Sequence, residues 1–410
     1  MKVNLQRLIE NLNRYSAIGR IDEVGVERIA LSEEDKEARD LLKSQMEAAG
    51  LEVLVDELGN MIGLRKGKQA VPPVAFGSHL DTVYKGGRFD GALGVLAGLE
   101  VIHSLNDAGI TTEKPLTLIN FTNEEGVRFA PDMMGSHVYS GQASAEDIWA
   151  STAYDYPRDT VKSRLEAIGY LGQMKAGSMP LDSFLELHIE QGPTLETDGI
   201  DIGAVNQVQG IYWTRYTING QANHAGTTPI AYRKDAGYAA AQIMKYLGDY
   251  PRQQDDRVLT TVGTIRFEPN AVNIVPEQAS FTLDLRSVNK EALATAQKKI
   301  DAFVEQVISE ADLTLEREEM VRFTPVVLSE KVVALVKSEA EALGLTARIM
   351  PSGAGHDAQM MAAICPTAMI FVPSVKGISH NVQELTHDRD VENGTNVLLN
   401  AVLARAGTRQ

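Results

Sequence analysis

The run from Phe76 to Leu99, FGSHLDTVYKGGRFDGALGVLAGL, limits what this chain can fold into more than any other stretch. The apolar segment leading to His79 (VPPVAFGS) reads as a short buried strand, and the small residues after Asp90 read as a helix. Between them lies a glycine-rich turn. An imidazole at a strand end and a carboxylate on the following turn can close on one divalent ion, because the strand fixes the direction of the imidazole. Asp81 stands two residues beyond His79, on the same side of an extended segment, where its carboxylate is expected to orient the imidazole.

The same rhythm recurs along the chain. Leu5, Leu8, Ile9 and Leu12 predict one helix, and Ser32 with Asp35 caps a second through Ala38, Leu41, Leu42 and Met46, stopping at Gly50. LEVLVDELGNMIGLRKG alternates as two strands about Gly59-Asn60. KPLTLINFTNEEG is a further buried strand ending in Asn123, Glu124 and Glu125, and SFLELHIEQGP ends in another ligand-rich segment. Strand, ligand, helix, strand, ligand is the pattern of an α/β sheet with its chemistry at the carboxyl ends of the strands.

Residues 130–180 read as helices and connections with no chemistry of their own. From about Gln209 the pattern changes to long alternating strands, GIYWTRYTINGQANHAG and LTTVGTIRFEPNAVNIVPEQASFTLDLRS, with helices over 232–249 and 289–310. That is an α+β insert over residues 208–322. After it the α/β pattern returns with a helix over 329–343, the strand ARIMPS, the short helix HDAQMMAA, the strand TAMIFVPS, then GISHN and a closing helix. The fold class expected is therefore α/β in two domains, with residues 1–207 and 323–410 forming the larger and 208–322 inserted.

Charge removes several partners. With 39 Lys and Arg against 55 Asp and Glu the net charge is −16, and no basic patch interrupts it, so neither nucleic acid nor an anionic membrane is expected as a partner. The opening MKVNLQRLIENLNRY lacks an apolar core and no stretch is long enough to span a bilayer. Cys365 is the only cysteine, which excludes an intrachain disulfide. Both features favour the cytoplasm.

Of the eight histidines, His79, His188, His224 and His380 end strands or sit in glycine-rich turns beside other functional residue types. His103 and His387 read as structural, and His137 is open. The Glu124-Glu125 doublet follows a strand apolar enough to be buried, which sends adjacent carboxylates to different sides of a cleft. One can hold a cation while the other moves a proton, because a carboxylate engaged with a cation cannot also act as base.

Taken in order, GSHLDTV, GGRFDGALGVLAGLE, FTNEEGVRF, ELHIEQGP, NHAGTTP, NIVP with DLR, SGAGHDAQ and GISHN resemble the zinc-dependent amidohydrolases of the M20-type metallopeptidase group that cleave ureido groups. These are the N-carbamoyl-L-amino-acid hydrolases (L-carbamoylases) and allantoate amidohydrolases. The resemblance runs from about Leu5 to Ala404. It implies hydrolysis of the ureido C–N bond of a carboxylate-bearing substrate, an N-carbamoyl-L-amino acid or an allantoate-like molecule, with release of ammonia and carbon dioxide.

It further implies two divalent ions per subunit, zinc first with manganese, cobalt or nickel admissible, held by His79, Asp90 and His188 and by Asp90, Glu125 and His380. Glu124 takes the place of the general base. Gln191, His224, Asn273, Arg286 and Gly355, with Gly353 close to the same pattern, take substrate-contacting places, His224 also meeting charge on the carbonyl oxygen. The insert is implied to act as a lid and dimerisation domain in a homodimer. An amidase or dipeptidase of the same fold acting on N-acyl amino acids or peptides is the nearer alternative. A non-catalytic binding protein is the remote one, and it would have lost a ligand or the base, all of which are present here.

Overall fold

In the computed structural model, which describes residues 1–255 and 257–407, the chain divides into two compact units. One is Met1–Asn206 with Val327–Gln410, and the other is Gln207–Val326.

The first unit is built on a nine-stranded sheet. Its centre is four adjacent strands, Thr367–Val372, Ser183–Ile189, Val74–His79 and Leu116–Phe121, parallel to one another. Every residue of these four is buried, as parallel strands covered on both faces require. Antiparallel strands flank them: Met61–Arg65 and then Glu52–Val55 beyond Leu116–Phe121, and Ile202–Val208 beyond Thr367–Val372. Helix Ala92–Asp107 lies against the central strands with nearly all its residues buried, so its small apolar residues serve close packing.

The outer helices form where the sequence signals them. Leu5–Ser16 starts at Asn4, whose side chain accepts from the Arg7 N–H. Glu33–Ala48 starts at Ser32, which accepts from the Asp35 N–H at 3.2 Å. Asp35 and Arg39 form a fully buried ion pair at 2.9 Å within that helix. The closing helix, Asp388–Ala406, packs on the sheet and on Ala92–Asp107.

The second unit has a four-stranded antiparallel sheet in the order Leu259–Glu268, Gln278–Ser287, Gly210–Asn219, Thr314–Phe323. Helices Ala236–Gln253 and Lys290–Glu310 cover one face, and Tyr216, Ile218, Phe281, Leu283, Ile243 and Ile300 lie in the core between. The strand Thr314–Phe323 is one the sequence reading did not name. It is an edge strand, largely exposed and rich in charge (TLEREEMVRF), so it carries no burial alternation to read. Among the described residues no helix is long and apolar enough to cross a membrane.

Candidate metal centre

The four central strands run in one direction, so their carboxyl ends come together, and each delivers polar residues to the same place. His79 is the last residue of its strand and His188 the second-last of its own. Glu124 and Glu125 follow Phe121, and His380 follows the strand ending at Val372. Asp90 comes from the turn before helix Ala92–Asp107.

Asp90 is the hub. Its Oδ1 lies 3.0 Å from Nε2 of His188, and its Oδ2 lies 3.3 Å from Nε2 of His380. The same His380 nitrogen is 3.4 Å from Oε2 of Glu125. On the other side, Nε2 of His79 is 3.5 Å from Oε2 of Glu124. Ligand atoms of His79, Asp90 and His188 cluster within 4.8 Å of one another, as do those of Asp90, Glu125 and His380, and those of His79, Glu124 and Glu125. Gln191 joins them, its Nε2 donating to Asp90 Oδ2 at 2.9 Å and lying 3.3 Å from the Ser379 hydroxyl.

The electrostatics of the cluster call for cations. Burial first, then the charge of neighbouring carboxylates (Glu125 and Asp357 for Glu124, Asp90 and Asp81 for Glu125), pushes Glu124 and Glu125 well above the ordinary carboxylate range. Burial works against the charge of Asp90 too, yet its bonds from His188 and His380 hold it well below that range. His79 is lowered to about 4 by burial. Oε1 of Glu125 is buried with no hydrogen-bond partner. Imidazoles and carboxylates so packed match the donor set of Zn²⁺ and of other first-row divalent ions, so the residues present fit a metal.

One expectation is corrected. The group that meets Nδ1 of His79 is the backbone carbonyl of Asp81, at 2.9 Å, while the Asp81 carboxylate stands 3.9 Å away. That carboxylate instead accepts the backbone N–H of Glu124 (3.3 Å) and of Glu125 (3.2 Å), so it seats the doublet. The strand ends at His79, so the alternation of a regular strand does not extend to Asp81.

A turn glycine is required beside these side chains. Gly91 has φ +64°, and a Cβ there would fall 2.3 Å from Cε1 of His79. Only a residue without a side chain brings the Asp90 turn so close to the imidazole.

Some contributors were not singled out in the sequence. His356 is fully buried, its ring edge-on to His188 at 4.5 Å, with Nε2 2.9 Å from the Ser352 hydroxyl. Glu186 is also fully buried and accepts from the Ser78 hydroxyl and the Ala358 N–H. Glu186, His188 and His356 form a further close group of potential ligand atoms. Nε2 of His188 faces Asp90 and its Nδ1 is 2.9 Å from its own chain at Ile189 O, so the other two support His188 from behind. A signal for Glu186 was present, since it stands two positions before His188 and so on the same strand face. Gly355 lies in the connection before helix Asp357–Met361, beside Met133 and Gln359.

His224, Asn273 and Arg286 belong to the second unit. His224 is exposed in the short strand Asn223–His224, and Ala225 N–H donates to the Asn273 carbonyl at 3.0 Å, so those two are neighbours. Nδ1 of His224 accepts from the N–H of Gly226 (3.0 Å) and Thr227 (3.2 Å), which leaves Nε2 to carry the proton of the neutral ring. Arg286, on strand Gln278–Ser287, grips Asp284 through Nε and Nη2, each at 2.9 Å.

A family profile described as "Peptidase family M20/M25/M40" matches residues 75–404. An N-carbamoyl-L-amino-acid amidohydrolase of Rhizobium meliloti is 38% identical, covering 99% of this chain and 97% of its own. An allantoate amidohydrolase of Escherichia coli is 34% identical over 96% of both chains. Among solved structures, an amidase of the hydantoinase/carbamoylase family from Burkholderia vietnamiensis superposes with a TM-score of 0.91 at 40% identity, covering 99% of this chain and 98% of that one.

Proposed function

The chain belongs to peptidase family M20/M25/M40, and from that premise we propose that it is an amidohydrolase cleaving the ureido C–N bond of an N-carbamoyl-L-amino acid or an allantoate-like substrate, with release of ammonia and carbon dioxide. The observation that carries the mechanism is the division of Asp90, which turns one carboxylate oxygen to His188 and the other to His380. A carboxylate so placed can serve two cations at once.

In this reading His79, Asp90 and His188 hold one divalent ion, and Asp90, Glu125 and His380 hold a second, with zinc preferred and manganese, cobalt or nickel compatible with the same donors. When bound, such ions supply Lewis acidity toward the substrate carbonyl and make a water acidic enough to be deprotonated near neutral pH. Glu124 takes that proton as the water attacks and returns it to the leaving nitrogen. Its backbone is held by Asp81, and its carboxylate faces His79, which suits a group beside the reacting water. Gln191 and Gly355 contact the substrate from the first unit. His224 offers a donor from Nε2 to the developing oxyanion, and Asn273 and Arg286 recognise the remainder of the molecule. The proposal includes a homodimer formed through the second unit and residence in the cytoplasm.

The test is ammonia release across allantoate, ureidoglycolate, N-carbamoyl-β-alanine and several N-carbamoyl-L-amino acids, with N-acetyl and N-formyl analogues alongside. Turnover confined to the ureido compounds is the expected result. Turnover confined to acyl analogues or dipeptides would replace this substrate class with the other.

A further inference from the structure

Glu384 lies outside every ligand set proposed above, yet it is buried against the metal centre, 5% exposed. It sits four residues after His380, in the loop before the closing helix. Its Oε1 accepts the backbone N–H of Phe89 at 3.0 Å and of Asp90 at 3.1 Å. Its Oε2 accepts the Ser379 hydroxyl at 3.0 Å. One carboxylate therefore ties the turn that carries Asp90 to the loop that carries His380. The contact is close on the turn side as well, since a Cβ on Gly87 would fall 2.2 Å from Oε1 of Glu384. The second glycine of GGRFDG thus makes room for this carboxylate.

The Ser379 hydroxyl has a choice of acceptor. Its oxygen is 3.0 Å from Glu384 Oε2 and 3.3 Å from Asp90 Oδ2, and it stands 3.3 Å from the Gln191 amide nitrogen as acceptor. A hydroxyl has one proton to donate. We propose that Glu384 is a positioning residue that draws the Ser379 proton away from Asp90 and so spares Asp90 Oδ2, which already accepts from Gln191 at 2.9 Å, a further donor in competition with the ion shared with Glu125 and His380. The inference rests on the two-ion reading above.

A glutamine at this position isolates the effect. Its carbonyl oxygen must face the two backbone N–H groups, which leaves its NH₂ toward Ser379. The hydroxyl then accepts from that NH₂ and turns its own proton onto Asp90 Oδ2, in competition with the ion. Shape is conserved while the direction of one hydrogen bond is reversed.

The experiment is competition of metal-free protein with a calibrated chelator for Zn²⁺ and for Mn²⁺, read as ion affinity and stoichiometry. Glu384→Gln is expected to lower the affinity for one of the two ions by about 10- to 100-fold, the usual cost of disturbing a group behind a metal ligand. Ser379→Ala in the Glu384→Gln background is expected to restore most of that loss, because the misdirected proton is gone. Ser379→Ala alone is expected to leave affinity within about threefold of the parent, since its proton does not point at Asp90 in the parent. A merely structural Glu384 would give a loss that the second substitution deepens. Equal affinities in Glu384→Gln and parent, a double variant no better than the single one, or a tenfold loss in Ser379→Ala alone would each overturn the inference, and the last needs no change at Glu384. A parent protein that takes up only one ion would overturn the two-ion reading beneath it.

Discussion

Nε2 of His188 stands 3.0 Å from Oδ1 of Asp90 with both side chains shielded from solvent. Burial alone would discharge the imidazole, but the bond to Asp90 and the field of Glu186 carry its pKa up to about 9 from the ordinary 6.5. The raised pKa favours the protonated ring at neutral pH in the metal-free protein, whereas an imidazole must be neutral to ligate a metal. Uptake of an ion has to expel that proton. Apparent affinity should rise as pH climbs toward about 9 and level off above it. Zinc titrations of the metal-free protein in buffers of different ionisation enthalpy should show proton release below that pH. Uptake with no proton release at pH 7 would count against His188 as a ligand.

Turnover should disappear on chelation and return with Zn²⁺, Mn²⁺, Co²⁺ or Ni²⁺. The rank order of the four will identify the preferred ion. Full activity in a preparation shown metal-free by elemental analysis would eliminate the mechanism.

The two adjacent glutamates should separate by assay. Glu124→Gln keeps shape but cannot accept a proton, so metal content should persist while kcat falls at least roughly 10²-fold. Glu125→Gln should reduce the content of one ion. The opposite pattern in elemental analysis would exchange the two roles.

Gly91→Ala tests the crowded turn. A left-handed backbone costs an L residue roughly 1–2 kcal/mol, and the new methyl would press on the His79 ring. Metal affinity should fall by about tenfold or more. An alanine variant with unchanged affinity and unchanged KM would show that the turn can retreat without moving His79.

Arg286 is expected to read the substrate carboxylate, with Asp284 holding the guanidinium in place. A charged hydrogen bond contributes about 1.5–3 kcal/mol, so Arg286→Ala should lower kcat/KM for the acid substrate roughly ten- to a hundredfold. Arg286→Lys should fall between the two, since Lys lacks the planar fork. The neutral amide of the same substrate should lose little further in Arg286→Ala. Equal losses for acid and amide would make the Arg286–Asp284 pair structural.

The central strands and the candidate site residues at their ends were legible because burial on both faces writes an unbroken apolar run, and an abrupt polar residue at its end stands out. His79, Glu124, Glu125 and His188 all follow that rule. Asp81 did not, because spacing predicts a side only within a regular strand, and this one ends at His79. Glu384 was hidden for a different reason: it lies in a loop, and its partners are backbone N–H groups, which leave no trace in residue identity. The edge strand Thr314–Phe323 escaped because a solvent-exposed strand of charged residues has the composition of a loop.

Thr367–Val372 lies between Ser183–Ile189 and Ile202–Val208, so the middle of the large sheet is filled by a segment that follows the insert in sequence. Until then two strand edges face each other unpaired, and His380 has not yet been made. The Gln207–Val326 unit is contiguous and has all four of its strands in hand much sooner. The large sheet thus closes only when sequence from both sides of the insert is present. A polypeptide stopped short of Thr367 exposes open edges that invite pairing with other chains. It is an aggregation hazard for the cell and not a slower hydrolase.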